Sequence, residues 1–404
     1  MKTPFYYRIF SFRPILKRTH LKTDKKIDFL YIADNADLQD CLDCLQAESL
    51  IAIDMEADSY HHYFPKVCLL QCTAGKHNYI IDPLAEVDMK KVLSVLARKS
   101  LILHDAGYDL RMLKADYDFR PNEPILDTML AAKLLGIEKV GLSSLLEQYF
   151  DIQVAKHNQK ADWSKRPLDP HLLDYAIEDT FSLHALWKIL RTQLETKGRL
   201  DWHRQFCEFS VQNALDADFS KNDQDHERWR IRGVQKLSPK EMAFFRELWH
   251  WREKEAQKVD VPPFRIFENT RLMQLSVQLA AGKTSLRQIS YLLPKTCKGK
   301  RLEAMKKGIH KAQELPAEKW PQKKKGDASK RLSAAKLRRT EELKKKCAVI
   351  AAELELPPQL IVTRSVLEHI VKKEISDPAL CVEKRLLMLW QAELVAPVLA
   401  DSLD

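Results

Sequence analysis

The chain has 404 residues, is 45% hydrophobic and 30% charged, and carries a net charge of +10. That length exceeds one ordinary core and predicts several domains. The composition is that of a globular protein and excludes a disordered or fibrous chain. No apolar run of about 18 residues or more occurs, so no membrane-spanning helix is expected, and the basic excess favours a polyanionic partner such as nucleic acid.

Residues 1–27 form a basic arm in which Asp24 is the single acid. A transit peptide, a basic disordered arm and an early start codon all read this way. The eight cysteines follow no disulfide framework, and no signal-peptide pattern precedes them. A reducing, cytoplasmic setting is therefore expected, with an organelle as the alternative. Leu38, Cys41, Leu42 and Leu45 make a helical stripe, so Cys41 and Cys44 read as core rather than as half a metal site.

"LIAID" from Leu50 reads as a strand, as do "VCLLQC", "NYIIDPL" and "SLILH". Residues two apart in a strand share a side, so Asp54 and Glu56 fall on one face; Asp58 is expected to lie past the strand. Helical patterns "KKVLSVLA" and "DTMLAAKLLG" alternate with the strands. Asp105 is expected to cap the helix that carries Asp109 beside Leu110 and Leu113, and Asp127 to cap the next. Asp169 with Pro170 makes an N-cap and first-position pair. The helix that follows places Tyr175 and Asp179 on one face, which Leu172, Leu183 and Leu186 make largely apolar.

After about residue 200 the strand signals stop. "VDVPPFRIFENTRLMQL" at 259–275 aligns without a gap on "LELPPQLIVTRSVLEHI" at 354–370, double proline on double proline. Two copies of a small helical domain follow, at 236–314 and 330–404. Residues 206–235 read as a connecting helical segment and 315–329 as a basic linker. Residues 316–346 hold 12 Lys or Arg against four acids, which suits a solvated linker or a track for a phosphate backbone. "AAGKTS" at 280–285 lacks the first glycine of a phosphate-binding loop, Val277 standing there, and reads as a helix end.

Acids gathered at strand ends and on an apolar helix face repel each other unless cations neutralise them. Carboxylate oxygens suit Mg²⁺ or Mn²⁺. Two such ions can clamp the attacking and leaving oxygens of a phosphodiester.

"IDMEAD", "HDAGYDLRML" and "YAIED" together resemble the three motifs of the DEDD superfamily of 3′→5′ exonucleases, in the branch with Tyr four positions before the last Asp. The run at 141–180, with Lys156, Asp162, Trp163, Arg166, Pro167 and Leu168, resembles the ribonuclease D family, and the proline-centred helical copies resemble HRDC domains. Met55 and Ala57 depart from the Thr and the aromatic residue frequent in motif one; "ADSYHHYFPKVCLLQ" is similar to a wider group that includes exosome-associated relatives.

The resemblance implies an α/β, ribonuclease H-like exonuclease domain over 28–205, a mixed sheet flanked by helices, followed by two all-α HRDC domains. It implies that Asp54, Glu56, Asp109 and Asp179 hold two Mg²⁺ ions, with Mn²⁺ able to substitute, and that Tyr175 orients the attacking water. Lys156, Arg166 and His62 become candidate nucleic-acid contacts, with an exposed loop role for His61 and His62 as the plainer reading. The implied activity is hydrolysis of RNA from its 3′ end, on tRNA precursors and other structured RNAs, by a monomer. A DNA exonuclease and a non-catalytic RNA-binding scaffold are the alternatives.

Overall fold

The computed structural model describes residues 27–153, 158, 160–217, 227–283, 285–323 and 332–400. Residues 1–26 of the basic arm, residues 324–331 of the basic run and Lys156 lie outside the described residues. The elements in chain order begin with β1 (Leu30–Asp34), α1 (Leu38–Ala47), β2 (Leu50–Ala57), β3 (Val67–Ala74), β4 (His77–Glu86), α2 (Met89–Leu96), β5 (Ser100–Leu103) and α3 (Gly107–Tyr117). Then come β6 (Ile125–Asp127), α4 (Thr128–Leu134), α5 (Leu142–Phe150), α6 (Pro170–Phe181), α7 (Leu183–Thr196) and α8 (Leu200–Asp216). No helix of the described residues is long and apolar enough to cross a membrane.

The six strands form one mixed sheet in the order β1-β4-β3-β2-β5-β6. β2, β3 and β4 run antiparallel to their neighbours among themselves, while β1 joins β4 and β5 joins β2 in parallel. β1 and β6 carry no clear signal in the sequence, because short edge strands show too little alternation to stand out. The pleat sorts side chains by parity. Ile51, Ile53, Met55, Leu70, Cys72 and Ile81 pack with Leu42 of α1, Val92 of α2 and Leu110 of α3. The other parity, which carries Asp54 and Glu56, is covered by α6. Asp169 starts that helix by accepting from the His171 amide at 2.9 Å, with Pro170 at its first position.

The compact units do not follow the linear partition expected from the sequence. α8 runs through the expected boundary at 205/206, with His203, Cys207 and Ala214 buried. Among the described residues, one unit joins the sheet and its helices to residues 332–400, and the other joins residues 227–323 to the segment 58–66 between β2 and β3.

The second unit contains α9 (Pro239–Lys258), α10 (Pro263–Ile266), α11 (Asn269–Ala280), α12 (Leu286–Ile289) and α13 (Gly299–Gln313). Ser238 and Glu241 form a capping box at the start of α9, which satisfies two otherwise orphaned amides. Phe244, Phe245, Leu248, Leu272, Met305 and Ile309 build its core. Tyr63 is inserted there at 2% exposure. Its hydroxyl donates to Glu253 Oε2 at 3.0 Å, and its amide donates to Asp260 Oδ1 at 3.0 Å.

Residues 332–400 form α14 (Ala334–Glu353), α15 (Pro358–Ile361), α16 (Arg364–Lys373), α17 (Pro378–Glu383) and α18 (Leu389–Ala400). The aligned repeat positions have matching environments: Ala256 and Ala351, Ile266 and Ile361, and Leu272 and Leu367 are all buried. This copy shares its core with the sheet unit through Leu134, Leu186, Leu343, Cys347, Ile370 and Trp390. Arg199 donates to the carbonyls of Leu134 at 2.8 Å and Leu354 at 2.7 Å. Gly136 (φ +80°) sits where an added Cβ would lie 2.3 Å from the Glu355 carbonyl oxygen, so only glycine permits that approach.

Candidate metal centre

β2 delivers the first two acids. Asp54 stands across the ladder from Gln71 and Glu56 from Leu69. α6 delivers the third: one oxygen each of Asp54, Glu56 and Asp179 lie within 4.8 Å of one another. The helix is pinned to the sheet one residue further on, where the hydroxyls of Thr73 and Thr180 meet at 2.9 Å in the interior.

Asp109 sits in the first turn of α3 and is 7% exposed. It stands outside the three-oxygen set; burial, then Asp54, Asp105, Asp127 and Asp179, hold its carboxyl well above the usual range. The expected capping role of Asp105 is corrected by the structure. Asp105 adopts φ +63°, which is not the extended conformation of a capping residue. The N-cap position of α3 falls on Ala106 and has no side-chain cap, and Asp127 ties down the turn before it. Its carboxylate accepts from the amides of Asp105 and Ala106 at 3.2 and 2.9 Å, leading into α3, and caps α4 through Met129 and Leu130 at 2.8 and 3.2 Å.

The electrostatics are those of like charges gathered in the interior. Burial pushes the Asp54 carboxyl up to about 7. Burial, then Asp54, Asp179 and Asp109, hold Glu56 well above the usual range. Burial, then Asp54 and Glu178, do the same to Asp179. Burial, then Asp174, pushes Glu178 up to about 7. Groups that retain protons for this reason become anions when a hard cation replaces the protons. The donor set of carboxylate oxygens therefore fits a divalent metal ion.

The other expected residues are placed as follows. Tyr175 is 8% exposed, on the acid-facing side of α6, and its ring stacks on Trp163 at 6.2 Å. Burial, then the charges of Asp179, Glu56 and Asp54, hold its phenol above its ordinary value. Arg166 does not offer the phosphate contact expected of it. It grips both Asp82 oxygens at 2.6 Å and donates to the carbonyls of Cys68, Trp163 and Lys165 at 2.7–2.9 Å. All five N–H groups of the guanidinium are used, so Arg166 anchors the run that leads into α6. His62 folds into the helical unit, its Nδ1 2.7 Å from Asp260 Oδ2. Two residues that sequence reasoning passed over are Asp82, which pairs with Arg166, and Gln71, a polar residue within the apolar strand "VCLLQC". The interruption of that run was the available signal.

A family model described as "3'-5' exonuclease" matches residues 29–195, and one described as "HRDC domain" matches residues 241–305. The chain is 32% identical over 297 residues to ribonuclease D of Zymomonas mobilis, covering 72% of this chain and 75% of that one. It is 25% identical over 355 residues to ribonuclease D of Gluconacetobacter diazotrophicus, covering 87% and 88%. Among solved structures, Escherichia coli RNase D, described as an exoribonuclease involved in structured RNA processing, superposes with a TM-score of 0.68 at 21% identity, covering 93% of this chain and 98% of that one. A protein from Bifidobacterium adolescentis superposes with a TM-score of 0.76 at 20% identity, covering 93% and 97%. At these identities the superpositions speak for the fold.

Proposed function

Because the chain belongs to the ribonuclease D family of 3′→5′ exoribonucleases, we propose that Asp54, Glu56, Asp109, Tyr175 and Asp179 carry its reaction, which releases nucleoside 5′-monophosphates from an RNA 3′ end. The chain is a divalent-metal-dependent enzyme of that class. The convergence of Asp54, Glu56 and Asp179 oxygens within 4.8 Å carries the site assignment. Asp54, Glu56, Asp109 and Asp179 would together hold two Mg²⁺ ions, with Mn²⁺ able to substitute. Bound divalent cations supply positive charge that favours ionisation of the attacking water and accommodates charge on the leaving 3′ oxygen.

The residues divide the remaining work. The four carboxylates fix position. Burial, then its acidic neighbours, keep the Tyr175 phenol protonated, so its hydroxyl orients water by hydrogen bonding and does not remove the proton. Trp163 braces that ring, and Arg166 holds the Trp163 carbonyl.

The substrates we propose are tRNA precursors and other structured RNAs. The helical copy at 236–314 and a second HRDC-like copy at 330–404 would grip them by charge and shape. The monomeric state and cytoplasmic location are part of the same reading; all eight cysteines are free, which suits a reducing compartment. Matched RNA and DNA oligonucleotides, digested with Mg²⁺ and with EDTA, test it. RNA shortened from the 3′ end to 5′-monophosphates only with Mg²⁺ is the expected result. Equal digestion of DNA would shift the substrate class, and digestion in EDTA would remove the metal site from the mechanism.

A further inference from the structure

One polar side chain on the acid-bearing face has no visible purpose in the core. Gln71 is 0% exposed, and neither its Nε2 nor its Oε1 has a hydrogen-bond partner among the described residues. It lies in β3 directly across the antiparallel ladder from Asp54. Such cross-strand neighbours share a face, with Cβ atoms about 4.5–5.5 Å apart. Thr73, two residues along, identifies that face independently, because its hydroxyl meets Thr180 of α6. Gln71 and Asp54 therefore both enter the layer beneath α6, where Asp179 arrives. On its other side Gln71 faces Ile80 of β4, which offers no polar side-chain atom.

The neighbouring polar groups in this layer are paired. Thr73 meets Asn78 as well as Thr180, and the Asn78 amide donates to the Asp28 carbonyl. An unpaired amide in the same layer is unfavourable, and Met or Leu would fill the volume without that penalty. Unsatisfied buried groups of this kind point to a task in the site beside them.

We propose that Gln71 is a positioning residue for Asp54: its Nε2–H donates to the ionised Asp54 carboxylate and fixes which oxygen is presented to a bound cation. The inference rests on Asp54 being a metal ligand, as proposed above. A carboxamide suits the task because it is a neutral donor. It orients the carboxylate without cancelling the charge that holds the metal, which a Lys would do.

Gln71→Met and Gln71→Leu test the role through metal binding and stability as well as turnover. In metal-free protein the Tm of both variants should equal or exceed that of the wild type, since an unpaired amide gives way to apolar atoms. The Mg²⁺ concentration that produces half of the metal-induced rise in Tm should increase about tenfold or more, the scale found for groups that support metal ligands. At fixed Mg²⁺, kcat should fall while the KM for RNA stays unchanged. An unaltered half-saturating Mg²⁺ overturns the proposal. So does a lower metal-free Tm in both variants, which would mean that the amide already supports the fold. The wild type and Asp54→Asn separate the two levels. If the wild type shows no Mg²⁺-induced rise, or Asp54→Asn keeps it, the metal reading fails and the role of Gln71 with it. If only the Gln71 variants behave like wild type, the metal reading stands and Gln71 is merely a core residue.

Discussion

The strands β2, β3 and β4 present two faces on one backbone. On one face Ile51, Ile53, Met55, Leu70, Cys72 and Ile81 are buried against apolar helices. The other face carries Asp54, Glu56, Gln71, Thr73, Asn78 and Asp82, and α6 lies over it. Even its acids fare differently. Asp82 is matched by the fork of Arg166 at 2.6 Å, whereas Asp54, Glu56 and Asp179 face chiefly each other. The contrast separates a charge that secures the fold from charges that the fold tolerates for chemistry. A paired acid is a structural tie, and the converging set of Asp54, Glu56 and Asp179 is the one whose donor atoms fit the proposed divalent ion.

Neighbouring residues break the comparison most sharply. Asp54→Asn should lower kcat by about a thousandfold or more, about 4 kcal/mol of transition-state stabilisation, while RNA binding in a filter or fluorescence assay stays near wild type. Retained trimming would remove Asp54 from the metal set. Ile53→Ala, one position away on the apolar face, should do the reverse. Urea unfolding should show a loss of about 2–5 kcal/mol, with activity per folded molecule preserved; a large fall in kcat at full folding would show that the two faces are not separable.

Tyr175→Phe sharpens the acid face further. About a hundredfold loss in kcat is expected from losing an orienting hydroxyl, with the half-saturating Mg²⁺ unmoved. A normal rate would take the phenol out of the mechanism.

The same face can be read without turnover, through the pH dependence of stability. Asp54 in the folded chain titrates near 7 instead of 3.8, and Glu56, Asp109 and Asp179 shift the same way. The fold thus binds protons that the unfolded chain releases. Their contribution is fully favourable below about pH 4, is lost as pH rises, and for Asp54 is exhausted above about 7. Metal-free wild type should therefore lose stability relative to Asp54→Asn across that window, and saturating Mg²⁺ should flatten the difference. A difference that grows as pH falls would contradict the electrostatic account.

Much of the acid face could be read directly. Asp54 and Glu56 share a side because a strand has period two, and Tyr175 and Asp179 share a side because they are one helical turn apart. The helix start at Asp169-Pro170 is likewise local chemistry. The double-proline repeat also carried its own register, as the paired burial of Ala256 with Ala351 shows. What pattern could not supply was partnership across the chain. Arg166 looked available for phosphate until Asp82, 84 residues away, took its guanidinium. Asp105 looked like a cap, yet its own amide and that of Ala106 are held by the distant Asp127, and α3 starts without a side-chain cap. The two helical copies read alike in sequence, yet one closes its own core around Tyr63 and the other packs against α4, α7 and α8. Periodicity reports which side of an element is apolar or charged, because that is set within a few residues. Which group meets that side depends on how distant segments pack, and that decides whether a buried polar atom such as those of Gln71 is satisfied.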